Sequence, residues 1–477
     1  MDIKSKSVNA TIWSGIDSIA RQLVTLIVNI ILARILAPSD FGLIGMLTLF
    51  IALSNVFIEC GFSNALIRKI DRTQEDCSTT FFFNIIVGLA VYFVLFAISP
   101  FIADFYREPL LKPLLWVIGL NVIFNSLCIV QNALLTASFN IKLQAQIQFF
   151  SQTITGIIAI FLAYQGWGVW ALAVQSVLST FIRTILLWAK AKWKPTLEFS
   201  KSSFSYLWGF GSKMLATGLI SAFFTEINSV IIGKQYAKAE LGFYTRANHF
   251  ARLMPDIVNQ IIQKVALPTL AQYQKEPIKL TEMYRNYIHI IAFLCIPSMF
   301  LIAAISEPLI IVLLSDKWSQ SIIILQILSV ALSITPIGII NLALLQVLNR
   351  TDITLYIEII KKIILIGIII ITVGFGLLYL VIGFAIYNAI ATVINMYISK
   401  KMLDYNYKKQ LFDLMPYIVT STIMMLIVMF EMIYMDDMVL KLLIGFITGS
   451  FVYLCFTYMF KLKAFGLIKG LLSKNHN

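Results

Sequence analysis

The sequence predicts an all-α polytopic membrane protein of about fourteen transmembrane helices, with two six-helix lobes and two extra C-terminal helices. Three observations carry that expectation. Hydrophobic residues fill 59% of the 477 positions and charged residues 13%, for a mean hydropathy of +0.86. Soluble domains carry roughly 25% charged residues. Apolar runs of about 20 residues, each able to cross a hydrocarbon core about 30 Å thick as a helix, recur from end to end. Finally, one phrase is written twice: ILARILAPSDFGLI (31–44) and IIGKQYAKAELGFY (231–244) stand 200 positions apart.

The amino-terminal stretch MDIKSKSVNATIWSGIDSIARQL is basic, but its first apolar run holds Asp17 and Arg21 and has no small-residue cleavage site. It reads as an uncleaved first span, not a signal peptide. The spans are expected at 12–36, 41–66, 80–104, 113–136, 146–166, 168–190, 206–232, 241–268, 286–306, 320–348, 356–375, 377–399, 413–434 and 439–460. The gaps between them, 190–205 included, have no room for a soluble domain. Cys60, Cys77, Cys128, Cys295 and Cys455 form no CxxC pair and the three histidines are scattered, so no disulfide framework and no metal site is expected. The net charge of +13 sits in short gaps between apolar runs, without any nucleic-acid-binding pattern. That is how a membrane protein uses positive charge. No GxSxG, HExxH or P-loop is present, which points to a transporter, not an enzyme, without cofactor.

Basic residues set the orientation. With a cytoplasmic amino terminus, the inner gaps and tails collect most of the lysines and arginines, from Lys4 and Arg68 to Lys400, Lys408 and Lys474. The outer gaps hold Arg107, Lys112, Lys234, Lys238 and Lys317. Both termini are therefore expected inside. The repeat aligns Thr25 with Thr225, Ile27 with Ile227, Ile31 with Ile231, Ala37 with Ala237 and Gly42 with Gly242; Arg34 faces Lys234 and Asp40 faces Glu240. Each copy covers the end of one span, an outer turn and the start of the next, in the same orientation. Parallel repeats about an axis along the membrane normal are a transporter architecture. The expected division is 1–204 and 205–404 for the lobes, with 405–477 holding the last two spans and a cytoplasmic tail.

A charge at the bilayer centre costs roughly 2.5–3.5 kcal/mol on insertion scales, so charged and polar stripes should face a lumen. Span 1 carries Ser14, Asp17, Arg21, Thr25 and Asn29 at helical spacing; span 7 carries Lys213, Thr217, Ser221, Thr225 and Asn228. Span 8 carries Arg246, His249, Arg252, Asp256, Gln260 and Gln263, span 2 adds Asn55 and Glu59, and span 4 adds Asn121, Asn125 and Asn132. Spans 1 and 7, opposed across the pseudo-twofold axis, would line one cavity. Arg21, Arg252, Arg246 and Lys213 are its candidate substrate-binding cations. Asp17, Glu59, Glu226, Asp256 and His249 are candidates for coupling to an ion, and Asn29, Asn55, Asn125, Thr217, Ser221 and Gln260 for meeting sugar hydroxyls. Plainer readings stand beside these. Asp17 and Arg21 form an i,i+4 pair that helps insertion. Arg246 and Lys213 lie near span ends and could snorkel, and Arg183, Glu358, Lys361 and Lys362 are read mainly that way. His289 reads as a packed or interfacial histidine.

Four stretches resemble one family: LARILAPSDFGLIG (32–45), ECGFSNALIRK (59–69), LGFYTRANHFARLMPDIVNQIIQKVALPTLAQYQKE (241–276) and EPLIIVLLSDKWSQSIIILQIL (307–328). They are similar to the polysaccharide (oligosaccharide-lipid) flippases of the multidrug/oligosaccharidyl-lipid/polysaccharide (MOP) exporter superfamily. The chain departs from that pattern at Ser315-Asp316, where a glycine-containing turn is expected. The resemblance implies a two-lobed fold with a V-shaped cavity. It implies transport of an undecaprenyl-pyrophosphate-linked oligosaccharide across a bacterial cytoplasmic (inner) membrane by alternating access, for lipopolysaccharide O-antigen, capsule or exopolysaccharide synthesis. It also implies coupling to an H+ or Na+ gradient without ATP, with a polysaccharide polymerase and glycosyltransferases as partners. The rivals are a multidrug exporter of the same superfamily, a peptidoglycan-precursor lipid flippase and a membrane oligosaccharide polymerase. The first would want an acidic, aromatic pocket and the last a large outer loop.

Overall fold

The computed structural model describes residues 24–59, 62–69, 71–138, 140–191, 193–399, 403 and 405–467, with backbone alone at a few helical positions such as 213. Two compact units divide at Gly242 and Phe243. The first holds α1 (Val24–Ile35), α2 (Pro38–Glu59), α3 (Phe62–Arg68), α4 (Gln74–Tyr106), α5 (Leu111–Ser126), α6 (Ile129–Ala137), α7 (Ile141–Tyr164), α8 (Val169–Lys190), α9 (Lys201–Gln235) and the start of α10 (Lys238–Ile261). The second holds the rest of α10, a π-helical turn (Ile262–Ala266), α11 (Leu267–Gln272), α12 (Pro277–Ala304), α13 (Ser306–Leu314), α14 (Gln320–Leu332), α15 (Thr335–Val347), α16 (Thr351–Thr372), α17 (Leu377–Ser399), α18 (Tyr407–Ile433) and α19 (Met438–Met459).

Among the described residues, ten helices are long and apolar enough to cross a membrane when α14 and α15 are taken together as Gln320–Val347, or eleven if the bent pair α5 and α6 is one span. The described parts of the expected spans fall largely in helices or broken helices. α10 and α16 carry too many polar or charged residues to qualify on apolarity, and the start of the first span lies outside the described residues.

The repeated phrase builds the same hairpin twice. α1 and α9 end at Ile35 and Gln235, and α2 and α10 begin at Pro38 and Lys238. In each turn the acidic residue accepts from a backbone N–H three residues back: Asp40 Oδ2 from Ala37 at 3.0 Å, Glu240 Oε2 from Ala237 at 3.1 Å. That satisfies one of the donors a helix start leaves open. The two glycines then bring the hairpins together. A Cβ on Gly42 would fall 1.8 Å from the Lys238 carbonyl oxygen, and one on Gly242 would fall 1.9 Å from that of Pro38. Only glycine permits this crossing. It lies at the end of a long contact between α2 and α9.

The 190–200 connection is pinned, not free. Thr73 and Asp76 form a capping box at the start of α4, and Lys69 Nζ sits 2.7 Å from the fully buried Asp76 carboxylate. Gln74 donates to the Lys194 carbonyl at 2.7 Å, and the Thr196 and Ser200 amides donate to Ser78 and Thr79, each at 3.0 Å.

α5 and α6 meet at a 44° bend where no proline or glycine stands. A bend in a span frees carbonyls that hydrocarbon cannot satisfy. Side chains of α8 supply donors: Trp188 Nε1 to the Leu127 carbonyl at 2.9 Å, and the Thr184 hydroxyl, whose one proton is shared between the Phe124 carbonyl at 3.0 Å and that of Thr180 in its own helix at 2.8 Å.

In the second unit, α19 docks through Gly445 and Gly449. Their Cβ positions would meet Met432 Cε at 2.3 Å and Leu301 Cδ1 at 2.5 Å, so small residues four apart let α19 close on α12 and α18. Pro268, at the start of α11, lacks the N–H for a regular turn and follows the π-helical segment. Ser315, where the family pattern expects a glycine-containing turn, takes φ 85°, a left-handed conformation that favours glycine. Behind it Trp318 is fully buried, with its ring edge-on to Phe243 at 6.0 Å.

Candidate functional site

A polar pocket of about 440 Å³ lies within the first unit. α2 supplies Asn55 and Glu59, α3 Ser63, α5 Asn125, the bend Cys128, α6 Asn132 and α8 Arg183. Helical spacing puts Asn55 and Glu59 on one face of α2. The α5–α6 bend turns Asn125 and Asn132, which a straight helix would also align, toward the same space.

Arg183 is the pocket's cation. Its Nη2 donates to Asn125 Oδ1 at 2.5 Å and approaches Cys128 Sγ at 3.5 Å, while its Nε is buried with no hydrogen-bond partner among the described residues. Asn125 Nδ2 donates on to Asn55 Oδ1 at 3.3 Å, and Asn132 Nδ2 contacts Cys128 Sγ at 3.7 Å. One guanidinium, three amides, a hydroxyl and the exposed carboxylate of Glu59 therefore converge. The guanidinium presents a rigid donor fork suited to phosphate oxygens or paired hydroxyls. The amides offer both donors and acceptors.

This corrects the expectation for Arg183, which was read as snorkelling to the headgroups. α8 presents Ser176, Thr180 and Arg183 as a polar stripe toward α5, where Asn121 Nδ2 donates to Ser176 Oγ at 2.8 Å, so the guanidinium is held inward. Lys361 does not snorkel either. It is buried in an ion pair with Glu358, whose other oxygen lies 3.9 Å from Lys362 Nζ.

Of the other residues expected to line a lumen, Asn55, Glu59 and Asn125 meet in this pocket. Asn29 is elsewhere on α1, donating to the Thr25 carbonyl at 2.8 Å, while Thr25 Oγ1 bonds Gln152 Oε1 at 3.2 Å. On α9, Thr217, Ser221 and Thr225 are exposed along one face. Thr217 and Thr225 donate to the Met214 and Ser221 carbonyls at 3.0 and 2.8 Å, which leaves those oxygens as acceptors. Glu226 accepts from Ser229 at 3.4 Å. In the second unit, Arg252, Asp256 and Gln260 are exposed on α10, with Arg246 and His249 half-buried beside them. Arg252 Nε donates to Asn248 Oδ1 at 3.2 Å. Asp17, Arg21 and the Lys213 side chain lie outside the described residues. Among the described residues, no cluster of His, Cys, Asp and Glu could hold a metal ion.

Several known proteins are similar to this chain in sequence, and others in fold. The chain is 23% identical over 439 residues to the lipopolysaccharide biosynthesis protein WzxC of Escherichia coli (strain K12), covering 87% of this chain and 85% of that protein. It is 23% identical over 347 residues to the teichuronic acid biosynthesis protein TuaB of Bacillus subtilis (strain 168), covering 72% of each. It is 24% identical over 336 residues to the succinoglycan biosynthesis transport protein ExoT of Rhizobium meliloti (strain 1021), covering 70% of this chain and 68% of that protein. Among solved structures, the lipid II flippase MurJ in an inward closed conformation superposes with a TM-score of 0.77 at 16% identity, over 94% of this chain and 98% of that one. An inward-facing multidrug resistance MATE family transporter of the MOP superfamily gives 0.62 at 20% identity, over 80% and 94%. Those two likenesses establish the fold. A family profile described as "Polysaccharide biosynthesis protein" matches residues 31–323, and on that match the chain belongs to the polysaccharide biosynthesis protein family.

Proposed function

We propose that this protein is a flippase, not an enzyme, carrying undecaprenyl-pyrophosphate-linked oligosaccharide across the bacterial cytoplasmic membrane for cell-surface polysaccharide synthesis. The observation that carries the reading is the pocket around Arg183. A pyrophosphate crossing a low-dielectric layer needs donors to replace its water, and a guanidinium can grip it through two parallel hydrogen bonds. The surrounding amides suit sugar hydroxyls. No aromatic residue is among the described residues lining this pocket, which disfavours a cationic drug as its cargo. Transport by alternating access, with both termini cytoplasmic, fits the parallel repeat and the placement of lysines. Arg21, Arg252, Arg246 and Lys213 remain proposed contacts for the same headgroup. Glu59, which shares the pocket with Arg183, heads the proposed groups for H+ or Na+ coupling, with Asp17, Glu226, Asp256 and His249 after it. A polysaccharide polymerase and glycosyltransferases are the proposed partners.

The test is flipping of a lipid-linked donor in proteoliposomes, with protein abundance and melting temperature measured for every variant. A charge-assisted hydrogen bond is worth about 1.5–3 kcal/mol. Arg183→Ala should therefore slow transport by about one to two orders of magnitude, at 1.4 kcal/mol per factor of ten. Arg183→Lys should restore part of the rate, keeping charge without the fork, and Arg183→Gln little. A normally folded Arg183→Ala protein that flips at the wild-type rate would remove Arg183 from the substrate path.

A further inference from the structure

The second unit contains a groove of about 490 Å³ that the transport pocket does not use. It lies where the first turns of α12 and α18 meet the chain leaving α19. Its floor is a closed network. Arg285 clasps Asp413 through Nε at 2.6 Å and Nη2 at 2.7 Å, and the Tyr405 hydroxyl donates to the same carboxylate at 2.5 Å. Burial and the neighbouring carboxylate push the Tyr405 hydroxyl well above its ordinary pKa, so it stays a donor. One turn deeper, His289 Nδ1 lies 3.1 Å from the Tyr417 hydroxyl, which also accepts from the Ala464 amide at 3.3 Å.

That last bond fixes the segment after α19 over the groove. Lys461 takes φ 46° and turns the chain, Leu462 and Ala464 are buried, and Lys461 and Lys463 stand exposed at the rim. Asp413 is fully engaged by Arg285 and Tyr405. Neither rim lysine has an ion-pair partner among the described residues. Arg285 spends two of its donors on Asp413 and keeps the rest, with its side chain 44% exposed. The mouth of the groove is thus strongly cationic. Its wall along α18 is apolar: Phe412, Met415 and Val419, spaced to share one face, are 79%, 54% and 47% exposed.

A cationic mouth above an apolar, outward-facing stripe matches one occupant in charge and shape. We propose that this groove binds an anionic phospholipid, its phosphate at Lys461, Lys463 and Arg285 and an acyl chain along Phe412, Met415 and Val419. Basic pockets between spans on the lysine-rich side of a membrane protein recognise anionic headgroups in this way. It shares no lining residue with the Arg183 pocket. A lipid seated there would hold the carboxyl-terminal end of α19 against α12 and α18.

The experiment is native mass spectrometry of the full-length protein in detergent, titrated with phosphatidylglycerol or with phosphatidylethanolamine of the same acyl chains. This readout does not involve transport, so it stands or falls apart from the flippase reading. Wild-type protein should prefer phosphatidylglycerol. Each rim lysine should contribute about fivefold, at about 1 kcal/mol per residue near an anionic surface. Lys461→Asn, chosen because asparagine tolerates a left-handed backbone, together with Lys463→Gln should weaken phosphatidylglycerol about 25-fold and leave phosphatidylethanolamine unchanged. Equal affinity of wild-type protein for the two lipids would overturn the proposal, as would an unaltered phosphatidylglycerol affinity in the double variant. Competition by soluble glycerol phosphate at the concentration of the intact lipid would show that the apolar stripe takes no part. One-for-one displacement by the lipid-linked donor would assign the groove to the transport cargo instead.

Discussion

Gly42→Ala perturbs the crossing of the two repeated hairpins with a single methyl group. In the structure that methyl carbon would fall 1.8 Å from the Lys238 carbonyl oxygen and 2.7 Å from its carbon, where ordinary contact begins at 3.4 Å. The obstacle is backbone, so no side-chain rotation relieves it, and the hairpins must part by roughly 1.5 Å. Overpacking of this kind costs about 1–3 kcal/mol. If alternating access separates the hairpins in one state and closes them in the other, that cost falls on the closed state alone and shifts the equilibrium by about 5- to 150-fold. The assay is the rate at which a maleimide labels Ser39→Cys, half-buried beside the crossing, in detergent-solubilised protein lacking its native cysteines. Gly42→Ala should raise that rate at least about fivefold, at the lower end of the estimate. Gly242→Ala should do the same, since its methyl group would fall 1.9 Å from the Pro38 carbonyl oxygen. An unchanged labelling rate with an unchanged melting temperature in both variants would mean that the hairpins tolerate a side chain at their crossing, and the reasoning would fail.

Trp188→Phe keeps most of the ring but removes the donor 2.9 Å from the Leu127 carbonyl. Leaving that carbonyl unsatisfied should cost about 1–3 kcal/mol and lower the melting temperature in detergent; no change would mean the bend draws its donor from elsewhere. For topology, Gln165→Cys and Lys194→Cys, both at exposed positions, should differ in intact cells. An impermeant thiol reagent should label the first and not the second, and the reverse pattern would invert the assigned orientation.

The repeat was legible because both copies keep the residues that their geometry requires: the acidic cap at 40 and 240 and the glycine at 42 and 242. α14 and α15, with Thr335-Pro336 at their junction, together form one candidate span, Gln320–Val347, in agreement with the single span expected at 320–348. The bend between α5 and α6 had no local signal. Ser126-Leu127-Cys128 contains no breaker, and what stabilises the bend comes from Thr184 and Trp188 on α8. Arg183 was misjudged because it lies seven residues before the end of α8, within snorkelling reach of an interface. The signal that could have found it was the helical spacing of Ser176, Thr180 and Arg183, which places the charge on a polar face. The Lys461–Ala464 turn depends on a left-handed lysine and a bond to Tyr417, and neither leaves a mark in hydropathy.

α8 has a further role as a splint across the α5–α6 joint. Arg183 grips Asn125 just before the bend, Thr184 reaches the Phe124 carbonyl one residue earlier, and Trp188 takes the Leu127 carbonyl within the bend itself. The guanidinium that would receive a phosphate is therefore one of the fastenings that sets the curvature of the α5–α6 span. An anion drawing Arg183 away from Asn125 would unload the splint at one point and leave the two carbonyl fastenings in place. Cargo and Asn125 would then compete for one guanidinium, so a bound anion would act on the joint through a side chain that already holds it.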